Sequence, residues 1–225
     1  MSLCIEEGIM KINKFLVSVI GLTLVATLIA YPVLPQQIPT HWNINGDVDG
    51  YSPRWMAIVL ACLPAFMYGL FWLMPKIDPK QKSFSKFTKA YERVMLILIL
   101  FMVVLQIMTF LVALGVELPI DLIVKIGISI LFIVMGNYLG QVKPNYTFGI
   151  RTPWTLASDE VWTKTHRMSS YLIVVSGVLM LFCAFVSGIV GMSLYLACIF
   201  IPIIFSMGYS YYLYHCQSNK KDGIS

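Results

Sequence analysis

Charge is what this sequence has least of. Only 12% of its 225 residues are Asp, Glu, Lys or Arg, against 58% hydrophobic, and a water-soluble domain carries about twice that charged share. The scarcity excludes a solvated globular fold and points to an integral membrane protein. Within the long apolar runs Asp, Glu and His are absent at depth, which removes the groups that intramembrane catalysis or ion coupling ordinarily uses. The three histidines, His41, His166 and His215, fall in loops or at the ends of apolar runs, and there is no His-Glu-x-x-His zinc motif. Cysteine is sparse and odd in number: Cys4, Cys62, Cys183, Cys198 and Cys216. None lies in a loop expected to face an oxidising compartment, so no disulfide framework is expected and the thiols read as small buried apolar side chains. An internal repeat and low-complexity sequence are also missing, which argues against an inverted-repeat transporter.

What is present is six apolar runs, at residues 15–34, 55–74, 94–114, 120–139, 170–190 and 193–213. Each is long enough to cross a bilayer as a helix, which takes roughly 17 to 25 residues. The expected fold is all-α, a polytopic membrane protein with six transmembrane helices. Lysine and arginine set its orientation. They cluster before the first span (Lys11, Lys14), between the second and third (Lys76, Lys80, Lys82, Lys86, Lys89, Arg93), between the fourth and fifth (Lys143, Arg151, Lys164, Arg167) and after the sixth (Lys220, Lys221). Basic juxtamembrane loops stay on the cytoplasmic side, so both termini are expected to be cytoplasmic. The first run is too long for a secretory signal, and Tyr31-Pro32 follows Ala30 where a small-residue cleavage site would be wanted. It reads as a retained span. Glu6-Glu7-Gly8 suits a purine-rich ribosome-binding stretch ahead of Met10, which makes Met10 a candidate start.

The organisation expected is a cytoplasmic segment 1–14, two spans over 15–74 enclosing an outer loop 35–54, and a basic cytoplasmic loop 75–93. Two further spans then fill 94–139, followed by a cytoplasmic loop 140–169, the last two spans over 170–214 and a cytoplasmic tail 215–225. Pro64 and Pro202 sit inside spans, where a bend and carbonyls satisfied by neighbouring helices are expected. Gly136 with Gly140, and Ala184 with Gly188, have the four-residue spacing that allows close helix contact. In the basic loop Phe84, Phe87, Tyr91 and Val94 recur at helical spacing, which predicts a short amphipathic helix that lies on the anionic inner leaflet or serves as a docking surface for a cytoplasmic protein. Ser158 before Asp159 and Glu160 predicts a helix start whose face carries Val161, Trp162 and Thr165.

Two stretches break the apolar text with polar, turn-forming and aromatic residues. The first runs from Leu34 through Ile38-Pro39-Thr40-His41-Trp42-Asn43 to Asp49-Gly50-Tyr51. Its Asn45-Gly46-Asp47-Val48-Asp49-Gly50 opens like a calcium loop, but position twelve is Met56 where a bidentate Glu is required. Two turns, at Asn45-Gly46 and Asp49-Gly50, account for the same residues. His41 and Trp42 fit two readings, an aromatic anchor at the membrane interface or recognition of something outside. The second stretch runs from Gly136-Asn137-Tyr138 through Asn145-Tyr146 to Gly149-Ile150-Arg151-Thr152-Pro153-Trp154. There Arg151 suits a phospholipid headgroup, the protein's own helix-end carbonyls, or a partner. Lys125, four residues after Asp121, reads as a helical ion pair or as an outward ligand contact. Ser129 has no histidine or lysine poised to activate it and reads as a packing residue bonded back to its helix.

These two stretches resemble the segments of one family. Leu34-Pro35, Ile38-Pro39, His41-Trp42-Asn43, Gly46 and Asp49-Gly50 resemble the DUF1648 segment. Asn137-Tyr138, Asn145-Tyr146, Gly149 to Leu156, Val161-Trp162 and Thr165-His166-Arg167 resemble the SdpI signature, so the chain is similar to bacterial SdpI-family membrane proteins. The resemblance implies immunity to a secreted, membrane-active peptide toxin of the SdpC type, and signalling by holding an SdpR-like winged-helix repressor at the membrane. On that reading the toxin site on the outer face is His41, Trp42, Asn43, Asp49, Glu117 and Asp121. The partner site on the inner face is Asn137, Asn145, Gly149, Arg151, Trp154 and Trp162. The outer loops carry a net charge of about −3, a field suited to a cationic amphipathic peptide, and the other expected partners are membrane lipids. No catalytic residue, metal or cofactor is expected, nor direct contact with nucleic acid. A small-solute or lipid transporter remains the alternative, with Thr23, Thr27, Gln106, Thr109 and Asn137 as its few polar groups, and an intramembrane enzyme built on Ser129 is the remaining one.

Overall fold

A computed structural model describes residues 12–221; the proposed start at Met10, Cys4 and most of the N-terminal segment lie outside them. Six helices are long and apolar enough to cross a membrane. They are α1 (Lys14–Ala30), α2 (Met56–Ile77), α4 (Thr88–Ala113), α5 (Ile120–Leu139), α7 (Asp159–Cys183) and α8 (Gly188–Lys221), with short helices α3 (Gln81–Phe84) and α6 (Pro153–Ala157) between them. Much of their surface is exposed Leu, Ile, Val and Phe, as at Leu22, Ile29, Phe66, Phe182 and Ile204, a face that suits lipid and not water. The chain is a multi-pass membrane protein.

The bundle has two groups. α1 packs on α2 and both touch α4, α5 packs along α7, α7 packs on α8, and α4 joins α5 across the middle. Close approach of α5 and α7 depends on two glycines facing backbone. A β-carbon on Gly136 would lie 2.8 Å from the Val174 amide nitrogen, and one on Gly177 would lie 2.8 Å from that of Ile133. Gly140 also faces α7, opposite Ser170, so the expected contact face from Gly136 to Gly140 is present. Gly188 has nothing near it and starts α8 at a positive φ of 72°, which corrects the expectation that it packs. α8 runs through Pro202, and the carbonyl that proline leaves without an amide donor, that of Cys198, accepts instead from the Ser176 hydroxyl of α7.

One loop is not irregular. Between α1 and α2 the chain forms an antiparallel hairpin, β1 (Gln37–Trp42) and β2 (Val48–Pro53). Its turn lies at Asn43 to Asp47, with Gly46 at a φ of 87°. Asp49-Gly50 is no second turn: it belongs to β2, opposite His41, where the pairing register slips. The hairpin docks through Ile38, 1% exposed, against Leu34, Ala57, Phe110 and Ala113.

The basic loop also departs from expectation. Phe84, Phe87, Tyr91 and Val94 do share a face, but the helix is not continuous and the face does not lie on lipid. α3 ends at Phe84, α4 begins at Thr88, and all four side chains are at most 3% exposed. Phe84, Phe87 and Tyr91 pack with Leu16, Trp162 and Phe148 in the largest core cluster, so the apolar stripe meets the protein's own interior.

Candidate functional site

The two polar stretches occupy opposite ends of the bundle. At the hairpin end, a β-carbon on Gly46 at the turn would sit 3.2 Å from Cβ of Asp121, the first-turn acid of α5. At the loop end, residues 143–159 contact the α2–α3 connection through Asp78 and Lys80.

Local hydrogen bonds shape the hairpin end. The Asn43 side-chain oxygen accepts from the amides of Asn45 and Asp47 at 2.8 and 3.0 Å, and its nitrogen donates to the Asp47 carboxylate. Asn43 therefore forms the turn. His41 Nδ1 lies 2.5 Å from Asp49 Oδ1, with side chains 72% and 44% exposed. Trp42 is half-buried, and its indole nitrogen is buried with no acceptor among the described residues. Glu117 is exposed on the neighbouring connection. His41, Asp49, Glu117 and Asp121 thus give this end polar, mostly acidic groups, with Trp42 beside them. The same carboxylates that resemble calcium ligands are engaged with His41 and Asn43. Among the described residues no group of three or more His, Cys, Asp or Glu is placed to hold a metal.

Lys125 is paired with Asp121 at 3.3 Å, as the spacing predicts, but it is 6% exposed and does not reach the surface. Ser129 donates to the Lys125 carbonyl at 2.7 Å, the back-bonded arrangement expected of a packing serine. The Tyr195 hydroxyl donates to the same carbonyl.

Burial dominates the loop end. Asn145, 1% exposed, spends its whole amide on the loop: nitrogen to the carbonyls of Lys143 and Phe148, oxygen from the amides of Thr147 and Phe148. Trp162, fully buried, donates its indole N–H to the Val142 carbonyl at 2.9 Å and stacks on His166. These two residues hold the loop from inside and present nothing to a partner in this conformation. Asn137 is exposed on α5, and Arg151 is exposed with its guanidinium donating to the Tyr146 carbonyl at 2.7 Å. Of the groups that Arg151 suits, the protein's own carbonyls are present, in the loop and not at a helix end. Trp154 is half-buried, edge-on to Tyr211 of α8. Thr152 caps α6 reciprocally with Thr155, and Ser158 caps α7.

Gly149 explains itself through His166. Its φ is 107°, and a β-carbon there would lie 2.5 Å from His166 Nε2. That nitrogen accepts from the Ile150 amide at 3.0 Å, while Nδ1 lies 2.9 Å from the Trp162 carbonyl. A carbonyl only accepts, so Nδ1 carries the proton and Nε2 does not. The buried imidazole is thereby a neutral strut between α7 and the loop.

Asp78 is the residue that sequence reasoning missed. It is 1% exposed, and its carboxylate accepts from the Lys80 amide, the Tyr146 amide and the Thr147 hydroxyl at 2.7, 2.9 and 2.9 Å. Lys80 then pairs with Asp159 at 3.2 Å. The available signal was an acid followed by proline at the end of the second span, in a lysine-rich loop.

Residues 141–210 match the SdpI/YfhL protein family, and residues 19–67 match a domain of unknown function, DUF1648. The chain is 29% identical to the immunity protein SdpI of Bacillus subtilis (strain 168) over 205 residues, covering 91% of this chain and 97% of that protein. No solved structure matches it. The two matched regions contain, respectively, the buried loop scaffold with α7 and most of α8, and the hairpin with the adjoining parts of α1 and α2. With both regions in one six-span chain, the matches together support for this protein the SdpI family, which is not a family of enzymes.

Proposed function

We propose that this protein gives its cell immunity to a secreted, membrane-active peptide by binding it at the hairpin end, with no chemical step. What carries this reading is the near full-length likeness to an immunity protein, which spans both polar ends. The hairpin end supplies a fitting surface. His41 and Asp49 stand exposed together, Glu117 is open, and Asp121 lies against the turn. A mostly acidic patch beside the half-buried Trp42 suits a cationic amphipathic peptide approaching along the membrane.

The same reading places the hairpin outside and the loop end in the cytoplasm, because the basic residues gather at the loop end. Peptide binding then alters the loop around Arg151 and Trp154, where a winged-helix repressor of the SdpR type docks. α5 and α7 link the two ends, since Asp121 starts α5 beside the hairpin and α7 starts beside Asp78 and Lys80. For coupling, the peptide must favour one of two arrangements of this pair energetically.

Expression in a toxin-sensitive cell tests immunity. Survival under challenge with the secreted peptide encoded near this protein's gene should rise, and an unchanged survival curve removes the immunity reading. Arg151→Ala with Trp154→Ala should spare protection and abolish membrane capture of the repressor. Orientation is checked separately: Asn43→Cys and Arg151→Cys, each in a chain with the native cysteines replaced by serine, should label from opposite compartments.

A further inference from the structure

A cleft of about 370 Å³ opens beside the loop end, where α4, α5, α7 and α8 leave a gap. Val94, Phe132, Met135, Ile173 and Ile203 line it with apolar side chains, and residues 147–151 form its edge, with the Thr147 hydroxyl and the Arg151 guanidinium as the polar groups. The volume falls in the range of small-molecule sites. On α5 the lining reaches from Leu139, the last helical residue, back to Phe132. That is about 10 Å of helix, roughly two thirds of the half-thickness of a 30 Å hydrocarbon core.

The walls and the edge ask for different chemistry in one molecule. The walls exclude a water-soluble ligand, since they offer no polar partner below the loop. At the edge Arg151 is fixed by its bond to the Tyr146 carbonyl, which uses one of five guanidinium N–H groups and leaves others at the mouth. The nearest buried acid, Asp78, is already engaged by the Lys80 and Tyr146 amides and the Thr147 hydroxyl, so its charge is screened from the cleft. Guanidinium matches phosphate with paired hydrogen bonds that a lysine cannot make. We propose that the cleft is a binding site for an anionic phospholipid, with one acyl chain between α5 and the Ile173 and Ile203 walls and the phosphate on Arg151. A lipid so placed would buttress the loop at Gly149 and Ile150, where the family motif is held by His166. The site requires neither a toxin nor a repressor, so it stands or falls independently of the immunity reading.

The test is native mass spectrometry of the full chain in mild detergent, titrated with dioleoylphosphatidylglycerol or with the zwitterionic dioleoylphosphatidylcholine. Phosphatidylglycerol should be retained as one tightly held lipid in preference to phosphatidylcholine. Arg151→Gln should lower its retention roughly tenfold, the worth of one charged hydrogen-bonded contact, while Lys82→Gln should leave it unchanged. Met135→Trp fills the cleft without touching a hydrogen bond of the loop, and should also displace the lipid; this arm holds even if Arg151→Gln loosens the loop. Glycerol 3-phosphate, the same anion without acyl chains, should bind far more weakly. Equal retention of the two lipids, retention unaffected by Arg151→Gln and Met135→Trp, or glycerol phosphate binding as well as the lipid would each overturn the proposal.

Discussion

The two ends of this bundle use polar residues in opposite ways. At the hairpin end the bonds are local: His41 meets Asp49 eight residues away and Asn43 meets Asp47 four away. At the loop end they reach across the chain, 68 residues from Asp78 to Tyr146, 79 from Lys80 to Asp159 and 20 from Trp162 to Val142. A local network folds a module that can vary without disturbing its support, whereas the long-range bonds of Asp78 and Lys80 tie the two helix groups together. On the proposed function the hairpin end serves recognition, and the loop end holds the shape of the second polar stretch.

The largest effect should come from Asp78→Ala. It leaves the Lys80 and Tyr146 amides and the Thr147 hydroxyl without their acceptor, at about 1 to 3 kcal/mol for each donor that water does not reach. Thermal unfolding of the purified protein in detergent should show a clearly lowered melting temperature, and Asp78→Asn, which keeps one oxygen, should recover part of it. If Asp78→Ala melted like the wild type, the loop end would not be the tie between helix groups. Ile38→Ala comes next. Truncating the side chain that docks the hairpin costs about 2 to 5 kcal/mol of packing, and because the hairpin is self-contained the loss should appear as faster proteolysis of residues 37–53 with the bundle's melting little changed. A matching fall in bundle stability would show that the two ends are not independent. Gly149→Ala should follow at about 1 to 3 kcal/mol, since it forces a side chain into a backbone region that suits glycine and pushes on His166. Its mark should be loosened protection of the Ile150 amide in hydrogen exchange.

The six spans were legible because apolar runs report burial in lipid directly, and the family because two unusual motifs stand in one chain. Other features were hidden for definite reasons. The hairpin strand β1 contains Pro39, which demotes a run as a strand, and Asp49-Gly50 has turn composition although it lies in β2. The periodicity of Phe84, Phe87, Tyr91 and Val94 reported an apolar face correctly but could not say what it meets; beside a lysine-rich surface the membrane was the natural guess. Asp78 stands among lysines in the sequence, and its role appears only when the second stretch folds back on it. Asn145 and Trp162 carried the motif's signature, yet a signature does not distinguish a residue that contacts a partner from one that shapes the loop presenting it.

The smallest expected change in stability carries the sharpest functional test. His41 and Asp49 form an exposed pair, and exposed ion pairs or hydrogen bonds are worth about 0 to 1 kcal/mol, so His41→Ala, Asp49→Ala and the double variant should all melt within a few degrees of the wild type. If the pair serves only to shape the strand register, protection in the survival assay should track that small loss. If it is a recognition surface, each single variant should lower protection strongly while stability holds. The double variant should then cost less than the two losses added, because residues acting on one ligand as a unit couple. Additive, slight losses in protection would instead assign the peptide contact to the neighbouring acids Glu117 and Asp121, and would leave His41 as a strand residue facing water.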